Sequence, residues 1–125
     1  MIVGVGVDII EINRIAEAME RNQNFLSKVF TLKERQYMEG KKNMAQHAAG
    51  MFAAKEAVAK ALGTGVRGFS MADIEIVRDE MGKPSVLLQA AAAELASKFG
   101  DYSIHLSISH SKDNAIAYVI IEVLK

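Results

Sequence analysis

Apolar and polar positions alternate from the first residues. Val3, Val5, Val7 and Ile9 interleave with Ile2, Gly4, Gly6 and Asp8, and a period of two predicts a strand from Met1 to Ile10. One face of that strand is a β-branched stripe. The other carries Gly4, Gly6 and Asp8, which predicts open space beside a carboxylate. The period then lengthens. Glu11 to Arg21 reads as a helix with Ile12, Ile15 and Met19 on one side. Thr31 with Glu34 forms a capping-box signature for a short helix through Tyr37. Met44 to Leu62 is the longest helical segment, rich in alanine and stopped by Gly63. Ile74, Ile76 and Arg78 lead into a turn over 79–84, and Ser85 to Leu88 return as a strand. Ala90 to Phe99 is a second alanine-rich helix, ended by Gly100. Ile104, Leu106 and Ile108 alternate with Ser103, His105, Ser107 and Ser109, a strand with one apolar and one polar face. Lys112-Asp113-Asn114 predicts a tight turn, and Ala115 to Val123 the last strand. Two hairpins and several helices in mixed order predict an α+β fold, a small antiparallel sheet packed with helices.

Composition narrows the classes. The chain has 125 residues, the size of one domain spanning 1–125. Hydrophobic residues make up 50% of it, enough for a core, and a chain this short gains by burying more surface in an oligomer. The absence of cysteine excludes disulfides, thiolate metal sites and a cysteine nucleophile, and fits a cytoplasmic location. Fifteen basic and fifteen acidic residues cancel, which argues against general nucleic-acid binding. No segment has the apolar length of a membrane span. Met1 to Ile10 is apolar but has no basic leader or small-residue cleavage site and carries Asp8, so it reads as a strand rather than a signal peptide.

Four places could carry chemistry. Asp8 closes the glycine face of the first strand, and Glu56 sits in the long helix among alanines that leave room for a cofactor. Two carboxylates joined by substrate phosphates are a common way to hold magnesium; the plainer alternative is that Glu56 pairs with Lys60 one turn on. Lys60 could hold a phosphate as a compact charge, or be a solvated lysine near a helix C-terminus. Ser109-His110-Ser111, at a strand end, could bind phosphate, act as a nucleophile with its base, or serve the local turn. Gly63, Gly65 and Gly68 match Gly-x-Gly-x-x-Gly by letters, but follow a helix rather than a strand, so they do not read as a dinucleotide site. His47 and His105 read as lone histidines.

In this order, Gly4-Val5-Gly6-Val7-Asp8-Ile9, Phe52-Ala53-Ala54-Lys55-Glu56-Ala57 with Lys60 and Gly63-Thr64-Gly65, Gly82-Lys83-Pro84, and Ser107-Ile108-Ser109-His110-Ser111 resemble the holo-[acyl-carrier-protein] synthase family of phosphopantetheinyl transferases. The resemblance covers almost the whole chain. It implies a 4′-phosphopantetheinyl transferase-like fold assembled as a homotrimer with sites at subunit boundaries. It implies a magnesium-dependent transfer of 4′-phosphopantetheine from coenzyme A to a serine of apo acyl carrier protein, in support of fatty acid biosynthesis. Asp8 and Glu56 would hold the metal, and Asp8, Glu56 and Lys60 would form the catalytic set. Lys60, Gly63, Gly65, Gly82, Lys83, Pro84, Ser109, His110 and Ser111 would contact coenzyme A, with His110 near its 3′-phosphate. Glu56, or a water it orients, would take the serine proton, and Arg14, Arg21 and Lys28 would steer an acidic carrier. Two departures stand out. Met51 occupies a position where the family often has arginine, so a cation would come from elsewhere, with Lys41 and Lys42 as candidates. The first helix carries Glu17 and Glu20 beside Arg14 and Arg21, where related chains are more basic. Two rival readings are a non-catalytic trimeric binding module and a small phosphate-binding hydrolase using Ser109 and His110.

Overall fold

The first strand, β1 (Ile2–Glu11), explains its own glycines once its neighbour is seen. In the computed structural model, which describes residues 1–124, the long helix α4 (Met44–Ala61) lies directly on its glycine face. A Cβ on Gly4 would stand 2.0 Å from the Ala61 carbonyl oxygen, and one on Gly6 1.9 Å from that of Ala57. The space expected beside Asp8 is therefore occupied by helix backbone. Gly4 and Gly6 are spaced by two on a strand, and Ala57 and Ala61 by four on a helix, so each pair presents one face. Small residues on both sides allow the close approach.

Between β1 and α4 come α1 (Ile12–Arg21), α2 (Phe25–Val29) and α3 (Leu32–Met38). Ile15 of α1 is buried, with Ile12 and Met19 packed against the core, as their spacing predicts. The Thr31–Glu34 capping box is formed in full. The hydrophobic pattern does not predict α2, which is five residues long and has no side-chain cap at its N-terminus. Helix α4 ends where Gly63 takes a φ of +89°, a left-handed conformation that costs glycine little.

A 3₁₀ turn (Met71–Asp73) then opens the hairpin of β2 (Ile74–Arg78) and β3 (Pro84–Leu88), a two-stranded antiparallel sheet. The predicted alanine-rich helix is shorter than expected. Regular α5 covers Ala90–Ala96, and Ser97–Phe99 tighten into a 3₁₀ turn before Gly100. The last hairpin, β4 (Tyr102–His110) with β5 (Asn114–Val123), adds β1 on the far side of β5, giving the order β1-β5-β4, all antiparallel.

The inner face of this sheet, with Ile10, Ala115, Ala117, Val119 and Ile121, packs on α4 in one core. The outer face meets solvent although it is apolar along β1 and β5. Val7 stands opposite Tyr118, and Ile9 opposite Ile116. Val5 is 53% exposed, Val7 48%, Ile9 63% and Tyr118 49%. Patches of contiguous apolar surface on a small protein mark contact sites more often than chance. Among the described residues no helix is long and apolar enough to cross a membrane.

Candidate functional site

Asp8 lies on the inner face of β1 near its end, and Glu56 and Lys60 lie one turn apart on α4 where that helix runs along β1. Close glycine packing brings the three together. Lys60 Nζ donates to the Val7 carbonyl oxygen at 2.9 Å and to Asp8 Oδ1 at 3.1 Å. The helical spacing that predicts a Glu56–Lys60 pair is overridden: the ammonium reaches across to the strand. The Asp8 side chain is only 18% exposed in this pair, against 51% for Lys60.

Glu56 is half-buried, and its carboxyl is held above its ordinary range. Burial is the largest cause. The charge of Asp8 adds to it, and Lys60 partly offsets it. Two neighbouring carboxylates, one of them beside a lysine, form a donor set suited to a divalent cation that also holds phosphate oxygens. Gly63 and Gly65 follow directly on this helix end. Their amides donate back to the Lys60 and Ala59 carbonyl oxygens, which winds the loop over the last turn.

The other sequence-selected residues gather elsewhere. Gly82, Lys83 and Pro84 form the tip of the β2–β3 hairpin, where the Asp79 carboxylate accepts from the Lys83 amide at 2.9 Å. Ser109, His110 and Ser111 close β4, at the sheet edge opposite β1. Ser109 and His110, but not Ser111 or the hairpin-tip residues, line a cavity of about 230 Å³ together with Gln46, His47, Gly50, Arg78, Ile108 and Ala115. Arg78 Nη1 donates to the Gly82 carbonyl oxygen at 3.2 Å, which links the hairpin tip to the cavity wall. Ser109 and His110 are strand neighbours and so point to opposite faces. Among the described residues no hydrogen bond joins them, and a nucleophile–base dyad is not formed.

His47 and Arg78 were missed from the sequence. His47 is not alone: it faces Tyr37 edge-on with ring centroids 5.7 Å apart. Lys41 Nζ lies 4.6 Å and Arg78 Cζ 5.3 Å from the same Tyr37 ring centroid. The imidazole of His47 is held below its ordinary pKa by burial first, then by the charges of Arg78, Lys41 and His110. A cavity in which a half-buried histidine stands among positive charges is poised to receive an anion. Met51 is buried, at 1% exposure. It lines a neighbouring cavity with Tyr37 and Arg78. The cation absent at position 51 thus has Arg78 and Lys41 close by.

Known proteins resemble the chain throughout its length. Residues 4–119 match the family described as the 4′-phosphopantetheinyl transferase superfamily. A holo-[acyl-carrier-protein] synthase of Clostridium novyi (strain NT) is 58% identical over 98% of this chain and 89% of that protein. The crystal structure of a holo-(acyl-carrier-protein) synthase from Bacillus anthracis str. Ames in complex with CoA (3′,5′-ADP) superposes with a TM-score of 0.84. It is 40% identical, over 99% of both chains. That of the Neisseria meningitidis holo-[acyl-carrier-protein] synthase superposes with a TM-score of 0.89, at 35% identity over 98% of this chain and 99% of that one.

Proposed function

The chain belongs to the 4′-phosphopantetheinyl transferase superfamily, and on that premise we propose that it acts as a holo-[acyl-carrier-protein] synthase. It transfers 4′-phosphopantetheine from coenzyme A to a serine of apo acyl carrier protein. The serine oxygen forms a bond to the β-phosphorus, the bond from that phosphorus to the bridging oxygen breaks, and adenosine 3′,5′-bisphosphate leaves. The observation that carries the mechanism is the meeting of Asp8, Glu56 and Lys60 across β1 and α4.

In this reading Asp8 and Glu56 would hold a magnesium ion between them, their carboxylates facing it from β1 and α4. When bound, the ion supplies charge neutralisation on the phosphate oxygens. Lys60 is free to turn from Asp8 toward the diphosphate, where its ammonium stabilises charge on the leaving oxygen. Glu56, or a water it orients, takes the serine proton. The cavity of His47, Arg78 and His110 receives an anionic group of coenzyme A, the 3′-phosphate. Gly63, Gly65, Gly82, Lys83, Pro84, Ser109 and Ser111 line the rest of the coenzyme's path. One domain spanning 1–125 carries these parts.

The carboxylate group stands at the β1 edge of the sheet and the histidine cavity at the β4 edge. The exposed apolar face of Val5, Val7, Ile9, Ile116 and Tyr118 is the surface on which a homotrimer would close. Arg14, Arg21 and Lys28 are exposed on α1 and α2 and are the first charges an acidic carrier would meet. Service to fatty acid biosynthesis and a cytoplasmic location follow from this activity.

The test is direct. Incubation with coenzyme A, magnesium and apo carrier protein should raise the carrier's mass by one phosphopantetheine group. Asp8→Ala and Glu56→Ala should abolish the gain while the chain stays folded by circular dichroism. Near-normal transfer by either variant at limiting magnesium would end the assignment.

A further inference from the structure

Lys55 precedes Glu56 on α4 and turns the other way, into the protein. Among the described residues it is the one buried lysine or arginine. All three ammonium protons have acceptors: Glu34 Oε1 at 2.8 Å, the Met71 carbonyl oxygen at 3.0 Å, and the Ile74 carbonyl oxygen. The Glu34 carboxylate is equally occupied. Oε1 also accepts from the Thr31 amide at 2.8 Å, and Oε2 accepts from the Ile76 amide at 2.7 Å. The network runs on, with Thr31 Oγ1 donating to Glu75 Oε2 at 2.6 Å and Gln89 Nε2 to Glu75 Oε1 at 3.2 Å.

A buried ion pair is a weak source of net stability, because desolvation offsets the attraction. What it supplies here is geometry. The network's bonds converge on residues 71–76, the base of β2. Arg78 lies two positions beyond Ile76, at the end of the same strand, in the cavity with His47 and His110. Beyond Ile76 the hairpin runs out to an exposed tip, so its direction is set at its base.

We propose that the Lys55–Glu34 pair is a positioning device that fixes the β2–β3 hairpin on α4, so that Arg78 meets His47 and His110 and the cavity is preformed for the coenzyme's anionic group. Neither residue touches substrate; both act through Arg78. The proposal rests on the functional reading above in taking that cavity as part of the coenzyme site.

The experiment compares the parent chain with Lys55→Met/Glu34→Gln, in which neither charge is left buried alone. Thermal unfolding, hydrogen exchange across residues 71–78 and steady-state kinetics with magnesium, coenzyme A and apo carrier are measured on each. The double variant is expected to fold, to exchange faster over 71–78, and to raise KM for coenzyme A on the order of tenfold or more. KM for the carrier should stay unchanged. A folded double variant with a parent-like KM for coenzyme A overturns the proposal. So does a parallel rise in both KM values with lost thermal stability, which would mark general loosening. If the double variant does not fold, Glu34→Gln carries the same test, since it removes the carboxylate charge from the pair and keeps the side chain's length. A severalfold rise in KM for coenzyme A is then expected, and no rise overturns the proposal. A parent chain that fails to bind coenzyme A refutes the functional reading instead. In that case unchanged exchange over 71–78 in the variant would still refute the tether by itself.

Discussion

Replacing Gly6 by alanine tests the packing on which the site is built. The new Cβ would stand 1.9 Å from the Ala57 carbonyl oxygen and 3.0 Å from the Ala61 nitrogen, a wedge into the helical hydrogen bond between them. No rotamer relieves this, because both neighbours are backbone. To restore ordinary contact α4 must retreat by about 1.5 Å. Overpacking of a rigid core costs about 1–3 kcal/mol and at times more; a clash with helix backbone belongs at the top of that range. A loss of about 3 kcal/mol from a domain holding about 5–15 should lower Tm by roughly 10–15 °C. Gly40→Ala is the control. Gly40 has a φ of +81° with nothing within 4 Å of its Cβ position, so its cost is backbone strain alone, about 1–2 kcal/mol. Thermal unfolding at fixed protomer concentration gives the comparison. Activity follows the same displacement, since Glu56 and Lys60 flank Ala57 and move with it away from Asp8. A misplacement of about 1 Å can cost on the order of 100-fold, read by carrier mass at a temperature where both proteins are folded. A Gly6→Ala chain within about 1 kcal/mol of the parent would refute this account of how β1 and α4 meet.

Two further outcomes follow from the outer sheet face and the histidine cavity. Val7→Glu puts a carboxylate at the middle of the exposed apolar stripe, opposite Tyr118, and should give a folded monomer by sedimentation; a variant that sediments like the parent would remove this face from the proposed assembly. His47 is held below its ordinary pKa by burial and by Arg78, Lys41 and His110, so it is neutral at pH 7 in the free protein. An arriving phosphate favours the imidazolium, binding takes up a proton, and KM for coenzyme A should fall as pH drops from 8 toward the free imidazole's pKa. His47→Gln should flatten that trend, and an unaltered profile would exclude His47 from the anion site. The sign for folding runs the opposite way to a paired histidine. Because the folded pKa is depressed, His47 contributes stability that is present above the unfolded value near 6.5 and is lost as pH falls below it.

What the sequence shows and hides divides by distance along the chain. The Thr31–Glu34 cap is legible because both partners sit within one turn. The same Glu34 also binds Lys55 and the Ile76 amide, and nothing local announces that, since these partners lie far along the chain. Gly4 and Gly6 stand out by their period, yet a missing Cβ admits a ligand or a helix equally well, and here the helix fills the space. The spacing of Glu56 and Lys60 predicts a pair that the fold breaks in favour of Asp8. Arg78 and His47 carry no motif, and only the cavity identifies them.

Sheet order takes the argument one step further. With β5 in the middle, β1 and β4 are opposite edges, so two strand spacings, about 10 Å, lie between the acid pair's strand and that of the histidine cavity. If a second copy closing on the outer face of β1 completes the coenzyme's site, assembly and catalysis become a single property. The Val7→Glu monomer should then lose transfer although Asp8, Glu56 and Lys60 remain in place. Should that monomer keep parent-like kcat/KM, coenzyme A is held by one chain alone, and the division of the site between copies is wrong.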